Sequence, residues 1–158
     1  MQITSTLSFT AAPNRVADML TNPKFADHVG AEIKADNVTT TNLDDGMTSV
    51  FTMISPEAAR KILGPTMTIT ETVTWQPASP NGARTGRLTL SVAGVPATSD
   101  GPLRLGPTPS GSQMIYDADF SVKIPLFGKK IEKMAEQYLS NVIKACEKVG
   151  NEWLTSNP

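Results

Sequence analysis

The sequence predicts an α+β fold in which a curved antiparallel sheet wraps around one long C-terminal helix, in the order β-α-α-β6-α. Three observations predict it. From Gly128 to Leu154 the apolar residues Ile131, Ala135, Tyr138, Val142, Cys146, Val149 and Trp153 recur at steps of three and four, the mark of one helical stripe. Between about residues 31 and 124 the pattern is mostly period-two, broken by turn-forming clusters. The links between these runs are short, which favours antiparallel neighbours over crossovers.

The elements follow in order. Residues 2–10, "QITSTLSFT", place Ile3, Leu7 and Phe9 on one face of a half-buried strand. "AAPNRVADML" turns helical, with Pro13 in the first turn and Val16, Ala17 and Leu20 on one side. "TNPKFADHVG" reads as a second short helix that Asn22 caps, Pro23 opens and Gly30 ends. The "DDG" at 44–46 separates "IKADNVTTTNL" from "MTSVFTMI" as a hairpin turn. "SPEAARKILGP" is a helical or looped excursion, and "TMTITETVTWQ" is the cleanest alternation in the chain. "PASPNGA" is a turn. "RLTLSVAGVP", "LRLGP" and, after "PSGS", "QMIYDADFSVKI" complete the sheet as separate runs. About 27 helical residues at 1.5 Å each span roughly 40 Å, so the last helix must lie across most of the sheet. A twisted, curled sheet meets such a helix at its ends and leaves a concavity between them. Pro125 and Gly128 punctuate the corner where the sheet hands over to the helix.

The 158 residues suit one domain, with 39% hydrophobic and 18% charged residues, a globular composition. A formal charge of −1 supplies no basic field for nucleic acid. A single cysteine excludes an internal disulfide framework, and one His with one Cys excludes the usual zinc sites, so no metal or other cofactor is expected. The N-terminal stretch lacks a basic n-region and a long apolar run, and no segment approaches a membrane span. A cytoplasmic protein without stable membrane insertion is the expectation. Nothing in the sequence sets the oligomeric state.

Four stretches carry a resemblance: "APNRVADMLTNPKF", "ARKILGPTMTITETVTW", "GRLTLSVAGVP" and "IPLFGKKIEKMAEQYL…GNEWL". Their joint order, over nearly the whole chain, resembles the START-like (SRPBCC) superfamily, whose helix-grip fold is that of the birch-pollen allergen. More narrowly it resembles a START-like family found mainly in actinobacteria. The resemblance implies a single START-like domain over 1–158 with a hydrophobic-ligand cavity under the last helix. It implies no particular reaction, because the superfamily spans lipid carriers, polyketide cyclases, oxygenase domains and chaperone partners.

The residues expected to line that cavity are Phe51, Met53, Ile69, Glu71, Val73, Leu90, Tyr116, Phe120, Phe127, Met134, Tyr138 and Val142. Glu71 falls in phase with Met67, Ile69, Val73 and Trp75, where a carboxylate is costly unless paired or wet. It is read either as an edge, bulge or hydrogen-bonded position, or as a polar anchor inside the cavity, where a carboxyl of raised pKa could also act as a general base. Phe127 has no place in the helical stripe and is read as a plug or gate. Met53, Met67, Met114 and Met134 suit adaptable walls as well as plain core. His28 is expected to settle a helix C-terminus or to lie exposed at the surface, Cys146 to act as a small buried hydrophobe, and Glu132 to complement the positive end of the long helix. Asp117 and Asp119 alternate outward, and the Lys129–Lys130 pair is too short to be a nucleic-acid or lipid-headgroup patch. No residue stands out as catalytic.

The first expectation is therefore binding of a hydrophobic small molecule or lipid. The second is a cyclase- or dehydratase-like enzyme working through cavity polar groups, against which the scarcity of acid/base candidates argues. The third is a protein-interaction module with a filled cavity.

Overall fold

A computed structural model describes residues 1–158. Seven strands form one antiparallel sheet in the order β1-β7-β6-β5-β4-β3-β2. The strands are β1 (Gln2–Phe9), β2 (Asn37–Leu43), β3 (Gly46–Ile54), β4 (Thr66–Trp75), β5 (Arg84–Val92), β6 (Val95–Thr108) and β7 (Gly111–Val122). Two helices, α1 (Pro13–Leu20) and α2 (Pro23–Glu32), carry the chain from the β1 edge to the β2 edge. A 3-10 turn at Glu57–Ala59 and the short α3 (Arg60–Leu63) join β3 to β4, and α4 (Gly128–Ser156) closes the chain. The result is the helix-grip arrangement expected from the element order.

Local details follow the residue chemistry. Asn22 caps α2 by accepting from the Lys24 amide at 2.9 Å, and Pro23 occupies the first turn. Two expectations need correction. Gly30 does not end α2; it is buried inside the helix and lets it approach the Val38 side chain, and the helix ends two residues later. On α1, Pro13, Val16, Ala17 and Met19 are buried and Leu20 packs against the same core, so the expected face turns inward with Met19 added to it.

The second correction is the larger. "GVP" and "LRLGP" are not ends of separate runs: Ala93–Gly94 is a tight turn, and Val95–Thr108 is one 14-residue strand. Its inward positions are Val95, Ala97, Ser99, Gly101, Leu103 and Leu105, while Pro96, Thr98, Asp100, Pro102 and Arg104 face out. Pro102 has no N–H, and the ladder to β7 is interrupted at Gly101 and Pro102 while pairing with β5 continues.

Packing divides the molecule along α4. Its C-terminal half belongs to a 16-residue core that includes Leu7, Phe9, Val16, Met19, Val73, Trp75, Leu103, Tyr116, Val149 and Leu154. Gly150 permits this contact, since a Cβ there would come within 2.7 Å of the Phe9 ring and 3.1 Å of the Met19 methyl. Side chains of α4 also cover the exposed backbone of the edge strand β1: Glu147 accepts from the Ser8 amide at 2.8 Å and Asn151 from the Thr10 amide at 3.0 Å. The N-terminal half is held differently. Gly128 sits so close to the end of β7 that a Cβ would strike the Val122 carbonyl, and Glu132 accepts from the Val122 amide at 3.0 Å. Glu132 thus ties the helix start to the sheet, beyond the dipole role expected of it. Two small clusters flank this half, one around Phe51, Met53 and Met67 and one around Ala97, Phe120 and Val122.

Candidate functional site

Between those two clusters lies a cavity of about 330 Å³. Nineteen residues line it and sixteen are hydrophobic. The floor is the inward face of β4 to β7, with Ile69, Leu90, Val92, Ala97, Ser99 and Phe120. The roof is one face of α4, with Ile131, Met134, Ala135, Tyr138 and Leu139. The β3–β4 connection contributes one rim through Pro56, Ala58, Ala59 and Leu63. The space exists because the inward residues of β6 are small where the sheet curls: Ala97, Ser99 and Gly101 stand between Val95 and Leu103. On the roof, Ala135 leaves a matching gap in the helical stripe. The stripe is accordingly only half-buried from Ile131 to Cys146 and becomes fully packed at Val149.

Of the residues expected at the site, Ile69, Leu90, Phe120, Met134 and Tyr138 line this cavity. Phe51 and Met53 stand behind the wall, packed with Ile69 and Tyr138. Val73 and Tyr116 belong to the large core, because their rows on the sheet lie under the packed half of α4. Val142 is half-buried on α4 and does not border the cavity. Phe127 is the N-cap residue of α4 and points away, 54% exposed, so it does not plug the mouth in this conformation. The alternation-based reading did not single out Ala97, Ser99, Ala135 or the 56–63 excursion. In β6 the prolines and glycines interrupt the alternation of residue type, and the period-two burial emerges only in the folded strand.

Polar groups gather at the inner end. The Tyr138 hydroxyl donates to the Met53 sulfur at 2.9 Å, strapping α4 to β3. Ser99 on the wall shares a 3.0 Å hydrogen bond with the Tyr116 hydroxyl, which also donates weakly to the Leu88 carbonyl at 3.4 Å. Glu71 lies one inward step beyond Ile69, paired across the sheet with Ser49 and Leu90. It is largely buried, does not border the cavity and has no ion-pair partner. Burial raises its carboxyl from 4.5 to about 7. Its charge is felt by Tyr116, raised to about 12 by burial in the first place, and by Cys146, also raised to about 12 chiefly by burial. Burial thus favours the protonated thiol at Cys146. His28 is exposed and stacks edge-on with Trp153 at 5.3 Å, away from the cavity. No three His, Cys, Asp or Glu side chains converge to hold a metal, and no helix is long and apolar enough to cross a membrane.

The match to a family model spans residues 4–154, and the chain belongs to that family, described as a protein of unknown function (DUF2505). No curated protein matches the sequence. Among solved structures, the chain is similar to Ara h 8.0201, at 15% identity and TM-score 0.62 over 99% of each chain. It is similar to a START superfamily protein from Mycobacterium smegmatis, at 13% identity and TM-score 0.58 over 97% of this chain and 98% of that one. Norcoclaurine synthase from Thalictrum flavum, solved in complex with dopamine and hydroxybenzaldehyde, matches at 12% identity and TM-score 0.63 over 100% of this chain and 88% of that one. At these identities the likeness shows the shared START-like, helix-grip fold.

Proposed function

We propose that this protein binds a compact hydrophobic small molecule in the cavity beneath the N-terminal half of α4. The observation that carries the reading is the contrast along one helix: tight packing at one end, and a 330 Å³ space with sixteen hydrophobic walls at the other. A soluble protein of this size gains stability by filling its core. A persistent apolar space of this size falls at the small end of known ligand sites. It suits one medium acyl chain or a flat ring system better than a whole phospholipid. The polar groups at the inner end, Ser99 and the Tyr138 hydroxyl, favour ligands with one hydrogen-bonding group.

The test is mass spectrometry of purified protein under native conditions, with solvent extraction, followed by titration with fatty acids and flat polycyclic probes. Ala135→Leu fills the roof gap and should lower probe affinity at least tenfold while the fold is kept. Equal binding by parent and variant would remove this cavity as the site.

A second reading has one specific observation in its favour. Glu71, whose carboxyl is raised by burial to about 7, stands one inward step beyond Ile69 of the cavity wall, where it would serve as a general base for a cyclase-like reaction once a substrate reached it. In that case Glu71→Gln would abolish turnover of a polyketide-like substrate and leave apolar-probe binding unchanged. Failure to turn over any such substrate, with binding intact, leaves the carrier reading.

A further inference from the structure

The chain exposes five large hydrophobic side chains, and four of them, Ile54, Ile62, Leu126 and Phe127, lie on the two connections at the hollow end. Ile54 ends β3 opposite Thr66 at the start of β4, and Ile62 follows in α3. Leu126 and Phe127 form the corner between β7 and α4, where Gly128 abuts Val122. Both connections leave the same end of the sheet, and residues of both neighbourhoods, Leu63 and Ile131 among them, line the cavity.

Leu126 is the sharpest of these. It is 99% exposed and holds φ at +68°, a left-handed backbone that a leucine adopts only at a cost. Folding has therefore placed an apolar side chain in water on a strained residue, and nothing within the chain covers it.

Charge gathers at the same place. The stretches 55–65 and 123–133 hold six basic residues, Arg60, Lys61, Lys123, Lys129, Lys130 and Lys133, against the acidic Glu57 and Glu132. That is a local charge of +4 on a chain of formal charge −1, so the remainder carries −5. Glu132 is also engaged, by the Val122 amide at 3.0 Å and by the N-terminal amine at 3.9 Å. The six basic residues are all exposed. The Lys129–Lys130 pair, insufficient alone, becomes part of a basic rim only in the fold.

We infer that the hollow end docks on an anionic lipid surface, with Leu126 and Phe127 entering the interface and the basic rim meeting the headgroups. Apolar side chains on short connections, ringed by lysine, match the requirements of shallow interfacial binding. The core of a protein–protein interface is depleted in lysine, whereas lysines surround these apolar side chains. The inference stands independently of what fills the cavity.

The experiment is co-sedimentation with vesicles of phosphatidylcholine alone and of phosphatidylcholine containing phosphatidylglycerol, at low and high salt. The parent should bind the anionic vesicles, bind the neutral ones much less, and release with salt. The double variant Leu126→Ser/Phe127→Ser should lose about tenfold in partitioning, and Lys129→Glu/Lys130→Glu should lose about as much. Leu43→Ser, an exposed hydrophobic at the opposite end, should bind like the parent. All these sites are exposed, and thermal melts should coincide with the parent's. Undiminished binding by Leu126→Ser/Phe127→Ser would overturn the inference. So would a parent that ignores vesicles, or one that instead self-associates in sedimentation velocity and is dispersed by that variant, since a second copy would then cover the patch.

Discussion

The two halves of α4 are built from one continuous apolar stripe, yet they meet different surroundings. Around Val149 and Leu154 the helix presses on large inward residues of β1, β6 and β7 and on α1, and Gly150 brings it closer still. Around Ile131 and Ala135 it faces the small residues of β6, and a cavity remains. The difference teaches that a helical stripe specifies which face turns inward but not whether that face is filled. Filling is decided by the size of the residues opposite.

The sharpest way to break this comparison is a matched pair of truncations. Leu103 is fully buried in the large core, at 0% exposure, and Leu103→Ala should cost about 3–5 kcal/mol, since a new cavity forms in a close-packed region. Leu90 borders the existing cavity, and Leu90→Ala should cost only about 1–2 kcal/mol, because one side of that residue already lacks packing partners. Urea denaturation of both variants checks this. Equal losses would mean that the two halves are packed alike.

Glu71 marks the border between the halves and sharpens the comparison through pH. Its folded-state carboxyl titrates at about 7 against 4.5 unperturbed, so between those values the folded chain holds a proton that the unfolded chain has released. Its contribution favours folding most below about pH 4.5, declines as pH rises and is lost above about pH 7. The full swing is on the order of 3 kcal/mol. Glu71→Gln should remove that part of the pH dependence and leave the variant more stable than the parent at pH 8. Asp117 acts in the opposite sense, since hydrogen bonds from Thr4 and Gln2 hold its carboxyl low, so the difference between parent and variant is the quantity to measure. A variant whose stability tracks the parent's from pH 5 to pH 8 would show that Glu71 is hydrated or paired.

A smaller effect is expected at the strap. Tyr138→Phe removes the hydroxyl that donates to Met53 and should cost about 1 kcal/mol or less, a weak sulfur acceptor being the only partner. A loss of several kcal/mol would show that the strap, and not the stripe, holds the hollow half.

The long helix, the 44–46 turn and the alternation of β4 were legible because each is a local pattern of residue type. Strand β6 was not, since Pro96, Gly101, Pro102, Gly106 and Pro107 all read as breakers, and only pairing with both neighbours reveals that they fit an extended strand. The cavity was legible as a place but less so in its walls. Phe51, Val73 and Tyr116 were expected there as large inward residues, and large residues are the ones that fill a core. Ala97, Ser99 and Ala135 border the space because they are small, and smallness carries little signal in a hydrophobic pattern. The basic, apolar corner at Leu126 was invisible for another reason: its parts are separated by some sixty residues of sequence, between Arg60 and Lys123.

The central claim, that one end is solid and the other built to hold an apolar guest, is tested most directly by adding the same group at both. Ala118 lies on β7 in the large core with no exposure, and Ala97 lies on β6 at the cavity wall. Thermal unfolding of Ala118→Leu and Ala97→Leu, each with and without a hydrophobic probe, is the measurement. The account predicts that Ala118→Leu loses about 1–3 kcal/mol through overpacking and still gains stability from the probe, whereas Ala97→Leu is neutral or more stable and no longer responds to it. Two variants destabilised alike, with the probe acting equally on both, would contradict it.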